Sequence, residues 1–351
     1  PQPTTRFTVQ TKHMLPPDQN VYRQLPAITK LYQLPDSRKA TIQVLNSFLP
    51  FVVIWVTMYL LRDVSLWLTF SLAIVNAFFL VRIFIIQHDC GHQSFTASRK
   101  ANNIIGSLCS FLTFIPYRYW AKNHNYHHGH NGVLDEHRDI GDINTLTVRE
   151  FRELSRAQQL KYMIFRSAPV LFILGPMSYI FYNNRLPIIQ MKGWEVANRS
   201  LWWNNFFLLA IHATLIYFLG WQAFYLVHFP ILVAFGIIAI WFFYVQHQHE
   251  HTYKAQKGKW DYLQASIQGS SYYKLPKLFH WLSGNIGYHH IHHLNSLVPN
   301  YELARCHHEN PVFDQVANAL TFRESLRCVF YKLWDEDQGK MVTWREYFGK
   351  K

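Results

Sequence analysis

Residues 223–245 read AFYLVHFPILVAFGIIAIWFFYV and contain no Asp, Glu, Lys or Arg. A run of about 20 apolar residues, wound as an α-helix, matches the thickness of the hydrocarbon core of a bilayer. Lipid offers no hydrogen-bond partners to the backbone, so a single segment that crosses it has to be helical. The stretch therefore predicts a membrane-spanning helix.

Similar apolar runs occur elsewhere in the 351-residue chain, separated by strongly polar segments. Two shorter stretches, 103–117 and 168–182, have about 15 residues each, which is short for a spanning helix and favours interfacial or re-entrant segments. Together the longer runs predict four spans. These are 42–61, 64–86, 200–219 and 223–245.

Positive charge is concentrated on one side of the predicted spans. All but two of the 34 Lys and Arg residues lie in the N-terminal arm, in 87–199 or in 246–351. The exceptions are Arg62, in a short turn on the opposite side, and Arg82, near the inner end of the second span. By the positive-inside rule these three segments are cytoplasmic, so the net charge of +13 is mainly a topology signal. Nucleic acid is therefore not expected as a partner.

These features predict an all-α integral membrane protein with four transmembrane helices and a cytoplasmic helical cap. We expect residues 1–41 to form a cytoplasmic N-terminal arm, 42–345 a single domain and 346–351 a tail. Within the domain, 87–199 and 246–345 would be cytoplasmic.

Most of the 20 histidines occur in four groups whose spacing is that of helix faces. Positions i, i+3 and i+4 share one face of an α-helix, so His88 and His92 form a pair. Two HxxHH triplets each fit within an arc of about 100°, whereas adding His290 to the second widens its arc to about 160°. We therefore expect His290 to serve another purpose. The triplets are His124, His127 and His128, and His289, His292 and His293.

Imidazoles share a site only if they lie on the same side of the membrane. The HDCGH group (88–92) follows the second span and HNYHHGH (124–130) precedes the third, while QHQHEH (246–251) and HHIHH (289–293) follow the fourth. All four groups therefore lie at the cytoplasmic surface, provided that neither of the two short apolar stretches crosses the membrane.

Eight or more histidines exceed the needs of one metal ion, since catalytic zinc takes three protein ligands and structural zinc takes four. The sequence therefore predicts a dimetal site. Imidazole suits zinc, copper, iron and nickel, so the ligand type leaves the metal open. A site at the ends of apolar helices is within reach of a lipid chain, and C–H cleavage with O₂ is chemistry of iron or copper. We expect iron.

From about residue 42 to 335 the chain resembles the membrane fatty acid desaturase family, on the basis of HDCGH, HNYHH and HHIHH in this order with similar spacings. Further segments resemble bacterial acyl-lipid desaturases of the Δ5 and Δ12 types. These are FYVQHQ (243–248), GSSYYKLPKL (269–278), GNIGYHHIHHLNSLVPNY (284–301) and LWDED (333–337).

The resemblance implies a non-haem di-iron centre that introduces a cis double bond into an acyl chain of a membrane glycerolipid, with O₂ and two electrons. Ferredoxin, or a cytochrome b5-like protein, would supply the electrons and be attracted to the basic cytoplasmic face. The protein would lie in a bacterial plasma membrane, with its active site and both termini on the cytoplasmic side. The implied metal ligands are His88, His92, His124, His127, His128, His247, His289, His292 and His293.

Four further residues are candidates for supporting these ligands. Ligating histidines commonly donate their second N–H to a carboxylate or carbonyl, and Asp89 fits that role, although it is equally suited to capping a helix. Asn285, one helical turn before His289, would hold a metal-bound water. His251, one helical turn after His247, is also the alternative ninth ligand. The four candidates are Asp89, Asp142, Asn285 and His251.

Aromatic runs are interpreted mainly as lipid-facing or interfacial side chains. The alternative is that Trp202 and Trp203, or the segment 241–243, line an apolar tunnel for the acyl chain.

Two other functions compete with desaturation. A hydroxylase or carotenoid ketolase would use similar histidine groups, whereas a metal transporter or sensor would carry histidines or acids inside its spans. In the predicted spans only His212 and His228 fit the second alternative, and neither has an obvious acidic partner. The desaturase interpretation is favoured.

Overall fold

The computed structural model describes residues 19–135 and 138–349. Three π-helical turns interrupt the regular helices, at Val170–Leu174, Tyr179–Asn183 and Ala223–His228. The α-helices are α1 Gln19–Lys30, α2 Ser37–Leu61, α3 Leu66–Gly91, α4 Arg99–Thr113, α5 Tyr117–His130, α6 Val148–Glu153, α7 Arg156–Phe165, α8 Gly175–Ser178, α9 Glu195–Leu219, α10 Phe229–His247, α11 Tyr262–Ile267, α12 Lys277–Leu282, α13 His289–Leu294, α14 Asn300–Glu309, α15 Val312–Val316, α16 Phe322–Cys328 and α17 Trp344–Gly349.

In the described part of the chain, four helices are long and apolar enough to cross a membrane, which confirms the predicted number of spans. Each of them extends beyond its predicted apolar run at one end. The first starts at Ser37 rather than 42 because the Asp36 carboxylate accepts the backbone N–H groups of Arg38 and Lys39 and caps the helix. The four spans are Ser37–Leu61, Leu66–Gly91, Glu195–Leu219 and Ala223–His247.

The two short apolar stretches do not form straight spans of their own. α4, which covers most of 103–117, has only 15 residues. The stretch at 168–182 belongs to a bent pair, Arg156–Phe165 and Val170–Asn183, whose halves meet at 56°. This pair would count as a fifth crossing only if both halves formed one broken span.

The second span, α3, lies at the centre of the helical layer. It packs against α2, α4, α5 and α10, and its buried residues point in all directions around the helix axis. A helix that is apolar all round is one that neighbours surround. By contrast, α9 exposes large apolar side chains such as Leu209 (72%) and Tyr217 (82%), as expected of a surface that faces lipid.

The polar segments form a cap at one end of the spans. α1, α11, α13 and α14 pack around a core of their own that includes Leu25, Ile291, Leu303 and Phe313. Tyr347 on α17 packs on Phe151 in a second small core.

Four short strands add to the predicted all-α architecture. β1 (Ser271–Lys274) pairs in parallel with β2 (Asn318–Thr321), and β3 (Tyr331–Asp335) pairs antiparallel with β4 (Lys340–Thr343). Four- and five-residue strands are too short to show a clear period-2 pattern, and three of the four are largely buried. The helical fold class holds, and the strands fasten cap segments to one another.

Arg82 ties the spans to the cap. Its buried guanidinium donates to Ser47 Oγ (3.2 Å) and Asn46 Oδ1 (2.7 Å) on α2 and to the backbone oxygen of Trp281 on α12. The guanidinium carbon also lies 3.9 Å from the centre of the Trp281 ring. One side chain therefore joins two spans and the cap helix α12.

We expect Arg82→Met to lower the stability of the folded protein by about 3 kcal/mol, because hydrogen bonds to a charged donor contribute about 1.5–3 kcal/mol each. The measurement is the thermal unfolding midpoint in detergent. Arg118→Met, at an exposed position on α5, is the matched control. Equal midpoints for the two variants would contradict this role of Arg82.

Candidate metal centre

Nine histidines from four helices converge where the spans meet the cap. α3 carries His88 on its last turn and His92 just after its end, α10 ends on His247, and α5 and α13 carry one triplet each. None of the nine side chains is more than 9% exposed. The expectation that both triplets are helical is confirmed.

Five of these histidines form a first group. Each contributes one ring nitrogen to a set in which all five nitrogens lie within 4.8 Å of one another. His128 Nε2 is 3.1 Å from His124 Nε2 and 3.0 Å from His292 Nε2. The five are His88, His92, His124, His128 and His292.

The remaining histidines form a second group beside the first. His127, His247 and His293 place ring nitrogens within 4.8 Å of one another. His289 joins them, since its Nε2 lies 2.9 Å from His247 Nε2 and 3.1 Å from His293 Nε2. The rings of His128 and His293 stack at 4.1 Å, so the two groups touch.

Hydrogen bonds between the rings do not account for this convergence. A neutral imidazole nitrogen carries either one proton or one lone pair, so it makes one hydrogen bond. Nevertheless His247 Nε2 lies close to both His127 Nε2 (3.3 Å) and His289 Nε2 (2.9 Å). Two nitrogens bound to one ion at about 2.1 Å, at 90–109° to each other, would be about 3.0–3.4 Å apart. The observed separations therefore suit imidazoles that share a cation.

The far side of His88 is held by a carboxylate. Its Nδ1 lies 2.9 Å from Asp89 Oδ1, while Asp89 Oδ2 accepts the backbone N–H (2.6 Å) and the side-chain amide (2.8 Å) of Asn300. Asn300 Oδ1 in turn accepts from Gln43 on the first span (2.9 Å). A ring that donates from Nδ1 keeps its Nε2 lone pair for the centre of the group.

His247 is oriented in a similar way by the backbone. Its Nδ1 lies 3.0 Å from the carbonyl oxygen of Gly269. This contact fixes the tautomer with the proton on Nδ1 and the lone pair on Nε2.

Burial keeps the imidazoles of both triplets and of His92 neutral. In both triplets and at His92, removal from water lowers the pKa of the ring well below its ordinary value, and neighbouring imidazoles lower the pKa further. A neutral ring offers a lone pair to a metal, whereas a protonated ring does not. The two groups are therefore compatible with a metal site.

The other predicted support residues have different surroundings. Asp142 accepts the N–H of Ile143 (2.6 Å) and lines a cavity beside the histidines. The expected helical turn before His289 is not found, because α13 begins at His289 and Asn285 has a φ of 58°. Its amide donates to the backbone oxygen of Asn300 (3.1 Å).

His251 does not continue the last span. α10 ends at His247, so the helical spacing that made His251 a competitor for the ninth position does not exist. The side chain of His251 is exposed, whereas His247 is 1% exposed.

Histidines outside the nine face elsewhere. His290 points away from both groups and packs on Tyr272, His307 and Phe313, as its position on the helix predicts. His130 stacks on Tyr126. Within the spans, His212 and His228 pack ring to ring at 5.3 Å against Phe114 rather than facing an acid.

A cavity of about 360 Å³ runs between the spans up to the histidines. His124 of the first group and His289 of the second line its polar end, together with Asp142 and Asn123. Most of the wall is apolar, and α3 and α10 contribute a large part of it. Its apolar residues include Val81, Phe84, Ile85, Phe235, Ala239, Ile240, Phe242 and Phe243.

The aromatic runs behave differently from one another. Phe242 and Phe243 line the cavity, which corrects the lipid-facing interpretation for these two residues. Trp202 and Trp203 are 54% and 59% exposed on α9, as that interpretation predicted.

Convergence of the histidines also constrains the topology. His127 precedes the bent pair in the chain and His247 follows it, yet their ring nitrogens lie 3.3 Å apart. The number of crossings between them must therefore be even. Since α9 and α10 supply two, the bent pair does not cross, in agreement with four spans.

Sequence reasoning missed Asn300 and Gly269. Both contribute through a hydrogen bond to a residue distant in sequence, so neither lies in a helical pattern. Their only signal is membership of the motif segments 284–301 and 269–278.

Four apolar spans with a buried multi-histidine centre define a class of protein, namely helical membrane proteins with a site suited to metal ions. Comparison with known proteins narrows this class. A family model described as Fatty acid desaturase matches residues 65–321. The chain is also 42% identical over 323 residues to a fatty acid desaturase of Bacillus subtilis (strain 168), a match that covers 92% of this chain and 91% of that protein. The chain belongs to the fatty acid desaturase family.

More distant relatives carry more specific names. The chain is 25% identical over 226 residues to an sn-1 oleoyl-lipid 12-desaturase of Anabaena variabilis, covering 64% of this chain and 63% of that protein. It is 24% identical over 265 residues to an sn-1 acyl-lipid omega-3 desaturase (ferredoxin) of Nostoc sp. (strain 36), covering 72% and 69%.

His280 provides a test of the cap's response to acid. Burial, together with the nearby His308 and His307, lowers its pKa to about 4. The ring stacks on Tyr288 (4.6 Å), next to the second triplet. In the unfolded chain the pKa returns to about 6.5. The unfolded state therefore binds more protons between these values, and stability is lost as the pH falls from about 6.5 towards 4.

We expect His280→Phe to reduce the loss of stability at low pH, because the variant keeps the stacked ring but removes the titrating group. Thermal midpoints of the variant and the parent, compared between pH 7.5 and 4.5, measure the effect. His251→Gln, at an exposed histidine, should retain the parent's slope. A slope for His280→Phe as steep as the parent's would rule out this contribution.

Proposed function

We propose that this protein introduces a cis double bond into an acyl chain of a membrane glycerolipid, with O₂ and two electrons, at a di-iron centre held by the nine clustered histidines. The observation that carries the proposal is the apolar cavity that ends at both histidine groups. A ligand cavity is mainly apolar with a few convergent polar groups at the reacting end, and this one opens among membrane spans.

The grouping of the histidines supports two ions. One would be held by His88, His92, His124, His128 and His292, and the other by His127, His247, His289 and His293. When bound, the ions would supply the activation of O₂ that C–H cleavage requires. Iron is proposed because the substrate chemistry is oxidative and zinc has no redox chemistry.

Residues around the ions have supporting roles in this proposal. Asp89 orients the ring of His88, and the carbonyl oxygen of Gly269 orients the ring of His247. In both cases the contact is made by the Nδ1 atom of the histidine. The aromatic wall, including Phe243 and Trp120, excludes water and holds the acyl chain extended beside the ions. Asp142 and Asn123 lie at the polar end, where the reacting carbons would be closest to the metals.

The distribution of positive charge along the chain supports a membrane topology and a cellular location. We propose that the histidine side is cytoplasmic in a bacterial plasma membrane, because almost all Lys and Arg residues lie on that side. The 42–345 segment would form one functional domain with the N-terminal arm on the same side. The names of the Anabaena and Nostoc relatives support an acyl-lipid substrate, and the second supports a ferredoxin as electron donor.

The direct test is fatty acid analysis of a host that makes only saturated and Δ9 chains, with and without this protein. We expect a new unsaturated acid, whose double bond is located by derivatisation and mass spectrometry. His292→Ala should abolish it, because removal of one ligand opens the first group. A hydroxy acid in place of the new double bond would instead indicate a hydroxylase.

A pair of variants on α5 tests the metal assignment separately. We expect His128→Ala to reduce the bound iron of purified protein and to lower product at least tenfold, in line with the effects of losing metal-site residues. His130→Ala, two residues away and stacked on Tyr126, should keep both iron and product. Equal iron contents in the two variants would refute the assignment of His128.

The cavity is tested by filling it. Ala239 on α10 lines the cavity, so Ala239→Phe should lower product at least tenfold through displacement of the acyl chain, while the iron content stays unchanged. Ala210→Phe adds the same bulk to an exposed position on α9 and is the control. Full activity of Ala239→Phe would show that the acyl chain binds elsewhere.

A further inference from the structure

A second cavity lies between the spans, at the end opposite to the clustered histidines. It has a volume of about 190 Å³ and is lined by α2, α4, α9 and the π-helical turn Ala223–His228. The 19-residue helix α10 separates His228 from His247, a distance of about 28 Å at about 1.5 Å per residue. The second cavity is therefore remote from the site proposed for desaturation.

The lining of the second cavity is apolar except for two imidazoles. His212 comes from α9 and His228 ends the π-helical turn, while every other described residue of the lining is apolar, including Trp55, Phe111 and Phe224. A charged molecule would lose its hydration there without gaining a counter-ion. The second cavity therefore suits an uncharged, mainly apolar ligand.

The protein does not use the full hydrogen-bonding capacity of the two imidazoles. The ring of His228 is 5% exposed and hydrogen-bonds to the backbone of Leu112, yet its Nε2 has no partner among the described residues. His212 Nδ1 donates to the backbone oxygen of Leu208 (2.9 Å), which leaves a lone pair on Nε2. Burying a polar atom without a hydrogen bond is costly, and polar side chains inside spans commonly mark a functional site.

A hydroxyl group suits these two imidazoles better than a metal ion does. Metal sites in proteins take three or four protein ligands, and among the described residues neither His212 nor His228 belongs to a group of three potential ligands. The two ring centres are 5.3 Å apart. A hydroxyl group can donate to the lone pair of His212 Nε2, and it can pair with His228 Nε2 in either tautomer, because it is both donor and acceptor.

The second cavity opens towards lipid and not towards the larger cavity. Its lining includes Val52 on α2 (51% exposed) and Leu215 on α9 (39% exposed). The Phe114 ring packs on His212 (4.7 Å) and His228 (5.5 Å). The residue after Phe114 lines the larger cavity, and no described residue lines both. A ligand of the second cavity would therefore enter from the bilayer.

The size of the second cavity limits the part of a ligand that it encloses. An apolar cavity of about 150 Å³ binds benzene, so the second cavity has room for roughly six to eight carbon atoms beside a hydroxyl group. The rest of a longer molecule would extend into lipid past Val52 and Leu215.

We propose that the second cavity binds an uncharged apolar alcohol from the bilayer, with its hydroxyl group at His212 and His228 and its hydrocarbon part against Trp55 and Phe111. π-Helical turns frequently occur at functional sites, and here such a turn carries His228. An acyl chain alone would fill the same space but would leave both imidazoles without a partner. This binding site is separate from the proposed function and does not depend on it.

The test uses a photoreactive diazirine analogue of 1-octanol on the full-length protein in phosphatidylcholine vesicles, with labelled positions located by mass spectrometry. The competitors are 1-octanol and octyl methyl ether, which has the same tail but no hydrogen-bond donor. We expect saturable labelling within α2 or residues 211–228. 1-Octanol should displace the probe about tenfold more effectively than the ether, because only the alcohol donates a hydrogen bond. Equal competition by the two compounds, or labelling that does not saturate, would overturn the proposal.

Two variants test the imidazoles individually. His212→Phe and His228→Phe each keep an aromatic ring but remove its nitrogens, so each should reduce saturable labelling about fivefold or more. His130→Phe makes the same change on the cap, where His130 stacks on Tyr126, and should label like the parent. Thermal unfolding midpoints establish that each variant is folded, and the competitor comparison on the parent decides the matter for any variant that is not. Labelling of both folded cavity variants at the level of the parent would refute the role of the imidazoles.

Discussion

Nine imidazoles brought together out of water are the constraint on which the rest of this structure depends. Buried rings with unpaired nitrogens are costly unless something binds them, and ring nitrogens about 3 Å apart in sets of three do not satisfy one another. The free-energy cost of burying these nitrogens is tolerated only because the surrounding structure prevents the rings from turning away. The structure that holds the rings, called the frame below, consists of four helix segments and the hydrogen bonds that support the histidines from outside the two groups.

The frame draws on both the membrane and the cap. α3 and α10 bring His88 and His247 to the ends of their spans, whereas α13 approaches from the cap. Arg82 fastens the spans to α12, and Asn300 links the first span to Asp89 through Gln43. Because these links cross between layers, the metal site and the fold are stabilised by the same contacts.

The position of the centre explains how a lipid chain would reach it. One side of the histidines opens onto an apolar cavity between the spans, which suits an acyl chain. On another side, the Gly269 carbonyl oxygen joins His247 to the Asn131 amide through hydrogen bonds.

The sequence by itself determined the features that are local along the chain. Apolar runs predicted four spans, and the i, i+3, i+4 spacing predicted which histidines share a helix face and that His290 would not. Only the tertiary structure decided how the faces combine into groups of five and four, because that depends on the packing of helices distant in sequence. It also decided where α10 ends, which removed His251 from the helix, and it introduced the left-handed turn at Asn285. Asn300 and Gly269 could not be predicted because a hydrogen bond across the fold leaves no periodic signal in the sequence.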